Sequence, residues 1–178
     1  MIVVVAVWVV FLVVVVLASR RAARKPLRSY DKRGSFYMKA QYTVFFTLLG
    51  RALLFPWPVG SESLSIAGQA VAVLGLVGYG LTLRTFIASY NPMVCIRERQ
   101  TLCRRGAYKY VRHPLYSWQM IMMAGTGLAL QHPVFLALPI PFLIMAATAK
   151  REEALLAEFH EDYAEYARQT RRFIPFVL

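Results

Sequence analysis

Two stretches hold the side chains whose types and spacing could do chemistry. They are RRGAYKYVRHPLY (Arg104–Tyr116) and REEALLAEF (Arg151–Phe159). In the first, Pro114 is placed to open a helix, because its missing N–H and fixed φ cost nothing in a first turn. Arg112 and His113 then stand at that helix's N-terminus. Free N–H groups and the helix dipole there favour an anion such as a carboxylate or phosphate. Tyr108, Tyr110 and Tyr116 supply flat faces that suit a purine ring or a cation. The same residues equally suit an interfacial belt of aromatics and arginines at a membrane boundary. In the second stretch, Glu152 and Glu153 begin a helical pattern. Acids in a first turn stabilise any helix by about 0.3–1 kcal/mol. Facing the first stretch, they could also bind an amine, a ribose diol or a sulfonium. Spacing leaves open whether the two stretches meet.

Other chemistries find little support. No nucleophile–base pair stands out. Gly75, Gly78 and Gly80 lie inside an apolar run, where helix packing is a better reading than a phosphate loop. Cys95 and Cys103 read as ordinary reduced thiols. His113, His132 and His160 lack metal-ligand spacing, so no metal is expected. His132 suits a cap in the turn before Pro133. His160 falls on the exposed side of a surface helix.

The elements that must position these residues are apolar blocks. Hydrophobic residues make up 58% of the 178 residues. They fall into segments at 1–18, 38–57, 64–83, 115–131 and 134–149. A spanning helix needs about 20 apolar residues. The expected fold is therefore all-α: a polytopic integral membrane protein of about five transmembrane helices, with a C-terminal amphipathic helix. Residues 1–83 form an N-terminal three-span region. Residues 84–178 hold the loop, a helical hairpin and the C-terminal helix. Small residues of the third block (Gly68, Ala72, Gly75, Gly78, Gly80) suit close helix packing in lipid. Pro139 and Pro141 should irregularise the start of the fifth helix. Leu155, Phe159, Tyr163 and Tyr166 recur at helical spacing along 151–168 and make one apolar face.

The net charge is +12. In a membrane chain the place of the cations matters more than their sum, so nucleic acid is not the expected partner. Nearly all of them fall in 19–39, 84–112 and 150–178, which share one side in a five-span arrangement. By the positive-inside rule that side is cytosolic, with the N-terminus outside and the C-terminus inside. Met1–Ala18 has its cations after the apolar run rather than before it, which predicts a retained first helix rather than a signal peptide. Arg51, inside the second block, is expected to snorkel outward.

GAYKYVRHPLY, then REEALLAEFHEDYAEY and RRFIP, resembles the isoprenylcysteine carboxyl methyltransferase and phospholipid methyltransferase superfamily over about residues 91–178. These are integral membrane enzymes that use S-adenosylmethionine. The resemblance implies a cytosolic cofactor pocket lined by Gln100, Thr101, Leu102 and Cys103, by Tyr108, and by His113, Pro114, Leu115 and Tyr116. It implies that Glu152 and Glu153 close that pocket. It also implies a lipophilic methyl acceptor entering from the bilayer. Arg112, Lys150 or Arg151 would orient that acceptor. The chain departs from the family pattern at Gln100, Trp118 and His160. Trp118 should make the helix face near the tunnel bulkier.

A carboxylate acceptor fits best, because a sulfonium donor and an ionised acid need no general base. The remaining readings are a phospholipid N-methyltransferase, an NADPH-dependent sterol-type membrane reductase using Arg104, Arg105 and Lys109, and a non-enzymatic scaffold binding anionic lipids.

Overall fold

The structure is a computed structural model that describes residues 1–22, 26–87, 89–98 and 100–174. Five long helices occupy the five apolar blocks. They are α1 (Ile2–Ala22), α2 (Lys32–Leu54), α3 (Glu62–Phe86), α4 (Pro114–Leu130) and α5 (Pro139–Phe159), followed by a short α6 (Tyr163–Gln169). Three helical stretches are long and apolar enough to cross a membrane: Ile2–Ala22, Glu62–Phe86 and Pro133–Phe159. The chain is an integral membrane protein. Of the other two, α4 has 17 residues, the lower limit of a span. α2 has 23 residues but begins with Lys32 and Arg33 and carries Lys39 and Gln41 within it.

α3 and α4 lie against each other along the small-residue stripe. Gly68, Ala72, Gly75 and Gly78 of α3 are buried. A Cβ added at Gly75 would stand 2.7 Å from the Met122 backbone nitrogen, so only a bare Cα permits this approach. α2 packs on α5. α1 is tied to α4 by the Trp8 indole, which donates to Thr126 Oγ1 at 2.9 Å. At the far end, Gln131 takes the left-handed conformation (φ 49°). Its side-chain oxygen accepts from the Gly60 and Ser61 N–H groups, both at 3.1 Å, which fastens the α2–α3 turn to the α4–α5 turn. His132 is the expected cap: its Nδ1 accepts from Val134 N at 3.0 Å. A 3₁₀ turn at Pro133–Ala137 precedes α5, which begins at Pro139, so the prolines sit where no N–H is missed. Arg51 is exposed, its guanidinium 4.2 Å from the Phe55 ring centre.

The fold is mostly helical, consistent with the all-α expectation, and carries one small two-stranded sheet. Strand β1 (Leu27–Tyr30) pairs antiparallel with β2 (Cys95–Arg97), setting Tyr30 opposite Cys95. Such short strands in charged loops leave no readable alternation. The sheet joins the two expected regions, as does the 2.6 Å ion pair between Asp31 and Arg151. One expectation needs correction: the pattern over 151–168 is not one helix. α5 ends at Phe159, and His160 takes an extended conformation as its cap (φ −129°, ψ 107°). His160 is half-buried rather than exposed. Pro175–Leu178, expected at the membrane interface, lie outside the described residues.

Candidate functional site

His113 is the cap of α4, and Pro114 is the first helical residue. The chain before it is a 3₁₀ turn, Gly106–Lys109, entered through Gly106 at φ 59°, a conformation that favours glycine. The C-terminal segment clips on from the other side. Arg112 N donates to Arg171 O at 2.7 Å, and His113 N to Arg172 O at 3.0 Å. Ser117 Oγ donates to Phe173 O at 2.6 Å. These bonds pin RHPLY between α5 and the last described residues.

The two stretches singled out in the sequence do meet. Glu152 accepts from Tyr116 Oη at 2.9 Å and lies 3.4 Å from His113 Nδ1. Glu153 lies 3.2 Å from His113 Nε2. It also accepts from Arg112 Nε at 3.0 Å and from Arg172 Nε at 2.9 Å. The imidazole is thus bracketed by two carboxylates. A neutral ring has one N–H, whereas the two acids offer only acceptors, so the charged ring satisfies both. Burial opposes the charged form, but the hydrogen bonds the ring donates to Glu152 and Glu153 outweigh it and raise the His113 pKa above 6.5.

Above this layer lies a cavity of about 980 Å³, its mouth included. Gln100, Thr101, Leu102, Cys103, Tyr108, Arg112, His113, Leu115, Tyr116 and Glu152 all line it. Pro114 and Glu153 stand behind the wall. Lys150 and Arg151 are exposed and do not line the cavity, and Arg151 is held by Asp31. Arg112 reaches the wall, but its Nη1 donates to Ala167 O at 2.8 Å and its Nε to Glu153. Gln100 uses its side-chain oxygen to accept from Asn91 Nδ2 at 2.9 Å and Arg97 N at 3.1 Å, which closes the loop around the sheet. Burial pushes the Cys95 thiol up, which keeps it protonated. Trp118, expected to make the helix face near the tunnel bulkier, does not line the cavity. It lies over Gly78 and donates to Thr82 Oγ1 at 3.0 Å, because the bare Cα of Gly78 leaves room for the indole.

Sequence reasoning passed over several wall residues. Tyr42, Tyr79 and Tyr90 add aromatic faces, and the first two come from helices read only as apolar. Two buried polar atoms on the wall have no partner among the described residues, Gln119 Nε2 and Tyr163 Oη. Arg172 was visible in RRFIP but had no role assigned. Nothing local marks it as the partner of Glu153.

Comparison with known proteins decides the family. Residues 65–162 match the phospholipid methyltransferase family. The chain belongs to that family. It is 30% identical to protein-S-isoprenylcysteine O-methyltransferase B of Arabidopsis thaliana over 147 residues, 79% of this chain and 74% of that protein. It is 28% identical to a probable protein-S-isoprenylcysteine O-methyltransferase of Oryza sativa subsp. indica over 147 residues, 79% of this chain and 76% of that protein. A shorter likeness, 34% over 71 residues, is to methanethiol S-methyltransferase of Crocosphaera subtropica, covering 39% of this chain and 28% of that protein. The protein is a membrane methyltransferase, and such an enzyme needs a methyl donor. The cavity suits one. It offers aromatic faces, a carboxylate at Glu152, and two buried polar atoms left for a ligand to satisfy.

Proposed function

We propose that the protein transfers the methyl group of S-adenosylmethionine to a carboxylate on a lipophilic, isoprenylcysteine-like molecule. The observation that carries this reading is the bracketing of His113 by Glu152 and Glu153. A ring held charged in this way cannot take a proton. Glu152 already accepts from the Tyr116 hydroxyl. An ionised acid is an acceptor that needs no base.

The bound sulfonium supplies an activated methyl group. The protein's part is to bind, orient and keep out water. Glu152 accepts from the donor's amine or ribose hydroxyls. The faces of Tyr108 and Tyr90 suit its adenine and cationic sulfur. His113 and Arg112 act as positioning residues, holding the glutamates in place. Gln119 lies one turn deeper along α4 than Tyr116, and its unpaired Nε2 can donate to the acceptor's carboxylate. Gln100–Cys103 form the rim, and Lys150 and Arg151 lie on the face that receives the acceptor's polar end. The five helices all span, and the three basic segments face the cytosol with the site, as the distribution of cations supports. Residues 1–83 and 84–178 then act as a membrane scaffold and a methyltransferase core.

Calorimetry on the purified protein in detergent tests this. S-adenosylmethionine should bind in the micromolar range and NADPH should not. Binding of NADPH alone would transfer the protein to reductase chemistry, and binding of neither would leave GAYKYVRHPLY as an interfacial belt.

A further inference from the structure

Arg21 and Arg84 lie in the last turns of α1 and α3. Between these helices runs a second groove, separate from the tyrosine-lined cavity. Val14, Val77, Leu81 and Ile87 form its walls, Gly80 leaves its middle open, and the two arginines stand at one end. The Phe11 and Tyr79 rings meet at 5.0 Å between centres, and further along both helices Arg21 and Arg84 line the same groove, so α1 and α3 run in parallel with both cations at the same end. A Cβ built on Gly80 would meet nothing within 4 Å. Val77 and Leu81 are 52% and 59% exposed, facing the space a bilayer fills. The side chains of Arg21 and Arg84 have no hydrogen bond or ion pair among the described residues.

One arginine in a last turn is ordinary, since it complements the helix dipole. Two arginines converging on one apolar groove are a different matter. We propose that the groove holds one acidic phospholipid, with its phosphate between Arg21 and Arg84 and an acyl chain along Val77, Gly80 and Leu81. Basic pockets between membrane helices bind anionic headgroups in this way. The planar guanidinium fork matches phosphate oxygens. The apolar walls select a lipid over a free phosphate ion. A choline headgroup would bring its own cation against the two arginines, so an acidic lipid is preferred over a zwitterionic one.

Native mass spectrometry of the full chain in detergent, titrated with phosphatidylglycerol, tests the site. One lipid should bind. The double variant R21Q/R84Q should weaken it about thirtyfold, the change two surface cations are worth. Gly80→Phe, whose Cβ meets nothing within 4 Å, places a ring in the groove and should abolish binding. Arg84→Gln alone, the milder change, should weaken it about fivefold. Thermal unfolding like that of the wild type shows that each variant is folded. Equal binding of phosphatidylcholine would overturn the proposal, as would phosphatidylglycerol binding unchanged by the variants. Displacement of the lipid by millimolar inorganic phosphate would mark a free-anion site instead. A dimer that dissociates in Gly80→Phe would assign the groove to a second copy of the chain.

Discussion

Arg172 closes on Glu153 with two hydrogen bonds, from Nε at 2.9 Å and from Nη2 at 2.5 Å. The pair fastens the C-terminal strap to α5 and fixes the carboxylate that holds one side of His113. Arg172→Ala should cost about 2 kcal/mol, the worth of hydrogen bonds to a charged group. Arg172→Lys should recover only part, because an ammonium lacks the fork. Thermal unfolding in detergent reads both.

Glu152 is the glutamate on the cavity wall. Glu152→Ala and His113→Ala should each abolish S-adenosylmethionine binding while the protein still folds in detergent. Tyr116→Phe removes a single hydrogen bond to Glu152 and should weaken binding by roughly tenfold. Wild-type affinity in the Glu152 and His113 variants, read by calorimetry, would sink the assignment.

The pH dependence has a definite sign. The His113 pKa is raised in the folded protein, so its contribution to stability is complete below 6.5 and is lost as pH rises through the higher folded value. Melting temperature should therefore decline on the alkaline side of 6.5. His113→Gln should flatten that part of the curve. A slope unchanged by the substitution would show that the imidazole is not held charged.

The acceptor leaves its own signature in the rate. A carboxylate is ionised throughout the neutral range, so its methylation should not climb with pH. A rate that rises through an amine's pKa would favour a phospholipid headgroup instead.

The α3–α4 seam makes a prediction of its own. Gly75→Ala and Gly78→Ala place a methyl group against Met122 and Trp118. Each should destabilise by about 1–3 kcal/mol, the usual cost of overpacking. Gly80→Ala meets open space and should be neutral. Melting temperatures of the three single variants compare them directly.

What could be read in the sequence follows from the range of the forces involved. Apolar blocks and the Gly68–Gly78 stripe are local patterns, and they marked the helices and the close seam. Pro114 sets its own backbone, so the start of α4 was legible. The meeting of RHPLY with Glu152 and Glu153 was raised by residue type but could be settled only by the fold. The β1–β2 pair was invisible, because Leu27–Tyr30 and Cys95–Arg97 are too short to carry a period. Arg112 looked free to orient a substrate, since nothing nearby in sequence announces that Glu153 and Ala167 will claim it. Trp118 looked obstructive because its counterpart, Gly78, belongs to a different helix.

The contact between α2 and α5 bears on how the protein is made. α2 is the least apolar of the long helices, and its packing partner is the last of the five to be synthesised. When α2 leaves the ribosome, the surface it will lie against does not yet exist. Until α5 arrives, the rings of Trp8 and Phe11 on α1, which meet Phe45, Phe46 and Tyr42, are there to hold it. A ribosome that stalls before α5 would leave the packing face of α2 uncovered.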